Sequence, residues 1–275
     1  DELFGGMQLG NFYGFIGMGE TFKSVYAEYI CFINAVAGIP CLYCNGEMSR
    51  LQFFERLIYL VRGINVPEEM KSGRLNKENV ASFIKYIEEI TKGNIFVVNG
   101  SGFTETSILA TIDHIKAKTG KTIKLVVSDG MSQWEWNGKD EITATINNSF
   151  AGKELAKKAN GGEGVVHLGL FHVSGEIKKW FRNTGDYIRG KHKPLANLDA
   201  YFCMSRLIDP GTNELVNEDD VIFIKNKFYL RYVDKRSRTG VVNAIVNVGQ
   251  NLKLEVEGTD PNMYEVKINK KKQFQ

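Results

Sequence analysis

Three groups of residues in this chain have the chemistry to handle a polyphosphate. Gly17-Met18-Gly19-Glu20-Thr21-Phe22-Lys23-Ser24 combines a glycine-bearing turn, a cation and a hydroxyl. Where such a stretch follows a strand and opens a helix, backbone N–H groups cradle phosphates and the helix N-terminus adds its dipole. Asp129 closes the apolar run Ile123–Val127 within Ser128-Asp129-Gly130, and a carboxylate at such a strand end can hold the water shell of Mg2+. Gly130 follows it, so a general base must come from elsewhere. Glu47, just past the apolar run Cys41–Cys44, is the candidate to take a proton from an attacking water. Taken singly, either acid can simply steady a helix N-terminus, as Glu47 would before Leu51–Val61. Together with Lys23 they point to a nucleotide's β- and γ-phosphates as the ligand and Mg2+ as its metal.

The phosphate turn is irregular. The usual spacing is G-x-x-x-x-G-K-[ST], and Phe22 stands where the glycine before the lysine belongs. A second register, from Gly14 to Gly19-Glu20-Thr21, keeps both glycines but puts Glu20 where a cation should face the phosphates. The first register keeps the cation and the hydroxyl. Gly17 through Ser24 are therefore the expected nucleotide-binding residues, with Ser24 and Asp129 as metal ligands. The cost is a backbone that must curl around phosphate without glycine's freedom at position 22.

The elements that must position these groups alternate. Phe12–Ile16, Cys41–Cys44, Ile95–Val98, Ile123–Val127 and Val165–Leu170 read as strands. Val25–Val36, Leu51–Val61, Glu78–Ile90, Thr106–Lys118 and Ala151–Ala159 read as helices. Asn65-Val66-Pro67 breaks the second helix, Asn76 or Lys77 lies near the start of the third, and Gly120 closes the fourth. Such a βαβα order implies a parallel sheet with helices on both faces. After Asp199 the texture changes. Tyr201–Leu207, Val221–Tyr232, Val241–Val248 and Leu252–Val256 read as β without intervening helices, which suggests antiparallel strands added to the sheet's edge.

At 275 residues, 43% hydrophobic and 24% charged, the chain can bury a full core as one domain spanning 1–275. It starts at Asp1 without Met, which tag removal or excision from a longer protein would explain. The four cysteines, Cys31, Cys41, Cys44 and Cys203, read as buried free thiols of a reducing compartment. Cys41 and Cys44 have metal-ligand spacing but no second pair. No apolar run reaches the length of a membrane span and no signal peptide is visible, so a cytoplasmic place, in a bacterium or an infected host cell, is expected. The net charge of +3 makes any basic surface local: Lys178–Lys193, Lys225–Arg238 and Lys267–Lys272. Each cluster is also readable as a solvated face.

Gly46-Glu47-Met48-Ser49, with Gln52 and Arg56 behind it, resembles the E-M-S…Q…R segment of DnaB-type replicative helicases. The spacing from Lys23 to Glu47 is similar to that of phage members, some of which carry an aromatic residue before the lysine. Gly5–Asn11, Leu125–Gln133, Leu155-Ala156-Lys157-Lys158 and Val165–Val173 resemble further family segments. The resemblance implies a RecA-like P-loop NTPase core and a ring of six identical subunits. It also implies ATP-driven 5′→3′ movement on single-stranded DNA in replication, with primase and other replisome proteins as partners. It makes Glu47 the catalytic base and gives His172 the place of the family's polar sensor, though His172 is equally readable as a satisfied histidine at a strand end. A neighbour's cation should complete the site. Arg231 is the candidate finger, with Lys227, Arg236 and Arg238 as competitors because Tyr229 breaks the family's K-x-R pattern.

DNA contacts are expected on a loop facing the ring's centre, where Lys178, Lys179, Arg182, Arg189, Lys191 and Lys193 can track phosphates without reading bases. Trp134 and Trp136 either stack on bases or pack on the subunit surface. Two alternatives stay open: a RecA- or KaiC-like ATPase without unwinding, and a DNA-binding ring whose ATP site has decayed, motivated by Phe22 and Glu20.

Overall fold

The computed structural model describes residues 6–17, 23–135, 138, 140–172, 196–206, 227–234, 241–248 and 254–257. Strands β1 (Phe12–Gly17), β2 (Cys41–Asn45), β3 (Ile95–Asn99), β4 (Leu125–Asp129), β5 (Val166–His172) and β6 (Ala200–Arg206) are the parallel set. β7 (Lys227–Asp234), β8 (Val241–Val248) and β9 (Leu254–Glu257) continue it. Among the described residues they form one sheet in the order β3-β2-β4-β5-β1-β6-β7-β8-β9. The first six run parallel and the last three join antiparallel.

The helices are α1 (Lys23–Val36), α2 (Arg50–Arg62), α3 (Val66–Lys71), α4 (Lys77–Ile90), α5 (Glu105–Thr119) and α6 (Glu141–Lys158). Alternate strand residues face opposite ways, and this splits the core into two layers. Tyr13, Phe15, Cys41, Tyr43, Val127 and Leu168 pack under α1, α2 and α4. Phe12, Ile16, Leu42, Cys44, Val126 and Phe171 pack under α5 and α6. Connections stepping toward β3 use the first face and those stepping back use the second, as a uniform crossover hand requires. Cys41 and Cys44 thus lie on opposite faces. All four cysteines are free and buried.

Local sequence fixes the helix ends. Ser49 with Gln52, Asn76 with Asn79 and Thr104 with Ser107 form reciprocal caps, each holding two N-terminal N–H groups. Gly120, at φ 72°, ends α5 in the left-handed conformation that a side chain resists. Among the described residues no helix is long and apolar enough to cross a membrane.

Two expectations need correction, and a third gains detail. The strand at Tyr201–Leu207 is not one of the antiparallel additions: β6 lies parallel to β1, level with it from Tyr13↔Ala200 to Gly17↔Met204. Asp199 pins this junction, since its N–H bonds Phe12 O at 2.8 Å while its carboxylate accepts the Phe12 N–H and pairs with Lys153. Asn65-Val66-Pro67 does more than break a helix, because Asn65 caps α3 with Pro67 in its first turn. Finally, α6 begins ten residues before the expected Ala151, capped by Asp140.

Candidate active site

The carboxyl ends of parallel strands are where such sheets bind ligands, because loops there are free to vary and helix N-termini point in. Gly17, Asn45, Asp129 and His172 end β1, β2, β4 and β5 at that edge. Gly14 lies inside β1, where the Leu198 side chain occupies the space that a Cβ would need. Gly17 ends the strand, and Lys23 and Ser24, at the start of α1, bring a cation and a hydroxyl to this edge. Met18, Gly19, Glu20, Thr21 and Phe22 lie outside the described residues.

Lys23 is buried, and its Nζ donates to Gly17 O at 2.9 Å. Burial pulls its ammonium down to about 8, against the opposing pull of the Glu47 and Asp129 carboxylates. Ser24 Oγ donates to Asp129 Oδ1 at 3.0 Å, and the Tyr43 hydroxyl donates to Asp129 Oδ2 at 2.8 Å. Burial raises the Asp129 carboxyl, while those two hydrogen bonds hold it back. One hydroxyl and one carboxylate side by side fit Mg2+, a hard cation that takes two such protein ligands and fills its octahedron from phosphate and water. Among the described residues no group of three His, Cys, Asp or Glu side chains forms a fuller cage.

Glu47, two residues beyond β2, meets His172 at 3.0 Å from Oε1 to Nε2. The ring nitrogen must donate here. That bond holds the Glu47 carboxyl below the ordinary range against partial burial, with help from Lys23 and Arg56. His172 is level with Gly17 in the β1–β5 pairing, so one residue of the strand beside β1 carries the ring that meets Glu47. The residues that carried the sequence motif have structural duties as well. Ser49 and Gln52 cap α2, and Arg56 Nη1 bonds Glu28 Oε1 at 3.1 Å.

Sequence reasoning missed several neighbours. Tyr43 sits within an apolar run, yet a buried phenol needs a polar partner, and strand parity puts it beside Asp129. Glu28, fully buried on α1, is pushed up to about 8 by burial, with Arg56 opposing. An acid in a stripe with Ala27, Cys31 and Ala35 was the available signal. Ser128, beside Asp129, donates to His167 Nε2 at 2.8 Å. His167 Nδ1 donates to Gly152 O at 2.8 Å, reached because a side chain at position 152 would collide with Phe12 and His167. Trp134 and Phe12 stack on that imidazole. Trp134 is therefore core and presents no face to a base, while Trp136 lies outside the described residues.

Burial lowers His167 from 6.5 to about 4. The folded chain resists its protonation and the unfolded chain does not, so stability is lost as pH falls from about 6.5 toward 4, by up to about 3 kcal/mol. Urea unfolding across that range should show this slope, and His167→Gln, which cannot charge, should flatten it.

Arg231 lies on β7 with its Cα opposite Cys203, and Lys227 begins the same strand. Lys178, Lys179, Arg182, Arg189, Lys191, Lys193, Arg236 and Arg238 lie outside the described residues.

A family model described as the DnaB-like helicase C terminal domain matches residues 1–162. The chain belongs to this family. The match spans Lys23, Ser24, Glu47 and Asp129 and ends before His172. Two solved structures share the DnaB-like, RecA-type fold. The ATPase domain of G40P aligns with a TM-score of 0.72 at 15% identity, covering 91% of this chain and 86% of that one. A DnaB-like replicative helicase, described with its interactions with primase, aligns with a TM-score of 0.71 at 16% identity over 90% of this chain. This chain spans 58% of that protein's length. No curated protein sequence matches.

Proposed function

We propose that this DnaB-like domain, a single unit over residues 1–275, is the ATP-hydrolysing motor of a replicative DNA helicase. It works as a homohexameric ring that translocates 5′→3′ on single-stranded DNA. The observation that carries the reading is the convergence of Lys23 with Ser24, Asp129 and Glu47 at one edge of the sheet, from three separate places in the chain. In this reading the turn from Gly17 to Ser24 holds the phosphates, and Lys23 faces the β- and γ-phosphates. Ser24 and Asp129 hold Mg2+, which when bound neutralises phosphate charge. Glu47 takes the proton of the attacking water. His172 donates its Nε2 proton either to Glu47 or to the terminal phosphate, and so senses the nucleotide.

Arg231 of a neighbouring subunit completes the site as the finger. Lys178, Lys179, Arg182, Arg189, Lys191 and Lys193 follow the DNA backbone. Primase and other replisome proteins are the proposed partners, in a bacterial or phage-infected cytoplasm. The test is native mass with ATP and Mg2+ present, coupled to strand displacement from a forked duplex. A six-fold mass and opening of substrates with a 5′ tail, not a 3′ tail alone, is the expected result. A monomer that hydrolyses ATP without displacing a strand would favour a regulatory ATPase. A ring that binds DNA without nucleotide would leave only the decayed-site reading.

A further inference from the structure

Two asparagines, paired in register at the ends of neighbouring strands, grip the turn that carries Glu47. Asn45 ends β2 and Asn99 ends β3. Asn45 Oδ1 accepts the Met48 N–H at 2.8 Å and the Glu47 N–H at 3.3 Å. From the other side, Asn99 Nδ2 donates to Met48 O at 3.1 Å. The main chain of the turn is tied to both neighbours too: Gly46 N–H bonds Asp129 O at 3.2 Å, and Gly100 N–H bonds Asn45 O at 3.2 Å. The backbone on either side of the Glu47 side chain is thereby fixed to β3 and β4.

Asn45 is 1% exposed, and its Nδ2 has no hydrogen-bond partner among the described residues. A buried polar group left unpaired is destabilising, because it gives up its hydrogen bond to water for nothing in return. Aspartate would serve the same two N–H groups without that orphan donor. It would also place a second carboxylate beside buried Asp129, the Cα partner of Asn45 across β2 and β4. The amide is the residue that supplies the oxygen without adding charge to a site that already holds Asp129 and Glu47.

We propose that Asn45 is a positioning residue for hydrolysis: its carboxamide oxygen sets where the Glu47 carboxylate stands, with Asn99 closing the turn from β3. This rests on the reading of Glu47 as the general base. Glu47 already meets His172 at hydrogen-bond distance, so a turn free to relax would carry the carboxylate off that line. A displacement of about 1 Å can cost about 10²-fold in rate.

The test is steady-state ATP hydrolysis by the full chain, with nucleotide affinity by calorimetry and thermal unfolding measured alongside. Asn45→Ala is expected to lower kcat by about ten- to a hundredfold while KM and affinity move less than about twofold. Asn45→Ser, whose hydroxyl can accept from the same N–H groups, should recover most of that loss. Asn99→Ala, at an exposed position that folding tolerates, should lower kcat by about threefold to tenfold with KM unchanged. Parental kcat in both alanine variants overturns the proposal, as does loss of kcat and affinity together with no rescue by serine. Glu47→Gln separates the two layers: if it turns over ATP normally, the reading of Glu47 falls and the proposal with it. If it is inactive while the alanine variants are not, only the positioning role falls.

Discussion

Glu47→Gln is expected to reduce ATP turnover by about 10²–10⁴-fold while leaving nucleotide affinity nearly unchanged. The amide keeps the size and the hydrogen bond to His172, but it cannot hold a proton taken from water. The carboxylate is prepared for that task. It is solvent-accessible, and the His172 N–H with the nearby cations Lys23 and Arg56 holds its carboxyl low, so it is ionised at neutral pH. His172→Ala removes the first of those supports. The Glu47 carboxyl then rises, and the acid side of the kcat–pH profile should move to higher pH, whereas His172→Gln, which still offers an N–H, should move it less. Single-turnover hydrolysis with separate equilibrium binding distinguishes this from a binding defect.

The second large effect belongs to Lys23. Lys23→Ala is expected to weaken nucleotide binding and lower kcat/KM by about 10²-fold or more, because a preorganised cation facing the phosphates is lost. The parent protein should show its own pH signature. With the ammonium pulled down to about 8, nucleotide-free Lys23 loses its charge as pH rises through that value. ATP affinity should therefore decline above pH about 8, with a proton taken up on binding, since phosphate favours the charged form. Lys23→Arg, charged throughout, should bind with little pH dependence, and Lys23→Ala should bind weakly and without it. Calorimetry in buffers of different ionisation enthalpy reads the proton uptake directly.

Much of the parallel core was legible because strand runs, capping residues and glycine stops agree there. Cys41–Cys44 and Ile95–Val98 fall inside β2 and β3, and Gly120 ends α5 as expected. Alternation marks a strand but carries no information about the direction of its partner, so the parallel pairing of β6 with β1 was invisible. The first half of α6 was missed for a different reason. Thr143, Thr145, Asn147, Asn148 and Ser149 are poor helix formers, and the segment is held by tertiary burial of Ala144, Asn148 and Ser149 and by the bond from Asn148 to Met131 O.

The candidate site divides in the same way. Lys23, Ser24, Asp129 and Glu47 were legible because charged and hydroxyl residues at strand ends interrupt apolar runs. The choice of register rests on the cation, and Gly14 lies inside β1 while Gly17 ends it. Tyr43, Ser128 and His167 were not legible as partners, since each needs the sheet order to bring it beside its neighbour, and the Glu28–Arg56 pair needs α1 and α2 side by side. Asn45 shows the difficulty best. In sequence it is one polar residue before a glycine, and only the pairing with β3 and β4 reveals that it holds the Glu47 turn.

A DNA-driven motor is tested most directly by steady-state ATP hydrolysis with and without single-stranded DNA, at two salt concentrations. Turnover that rises several-fold with DNA, loses that rise steeply as salt increases, and disappears in Lys23→Ala is the expected result. Turnover indifferent to DNA at low salt, or turnover that survives the loss of Lys23, would contradict it.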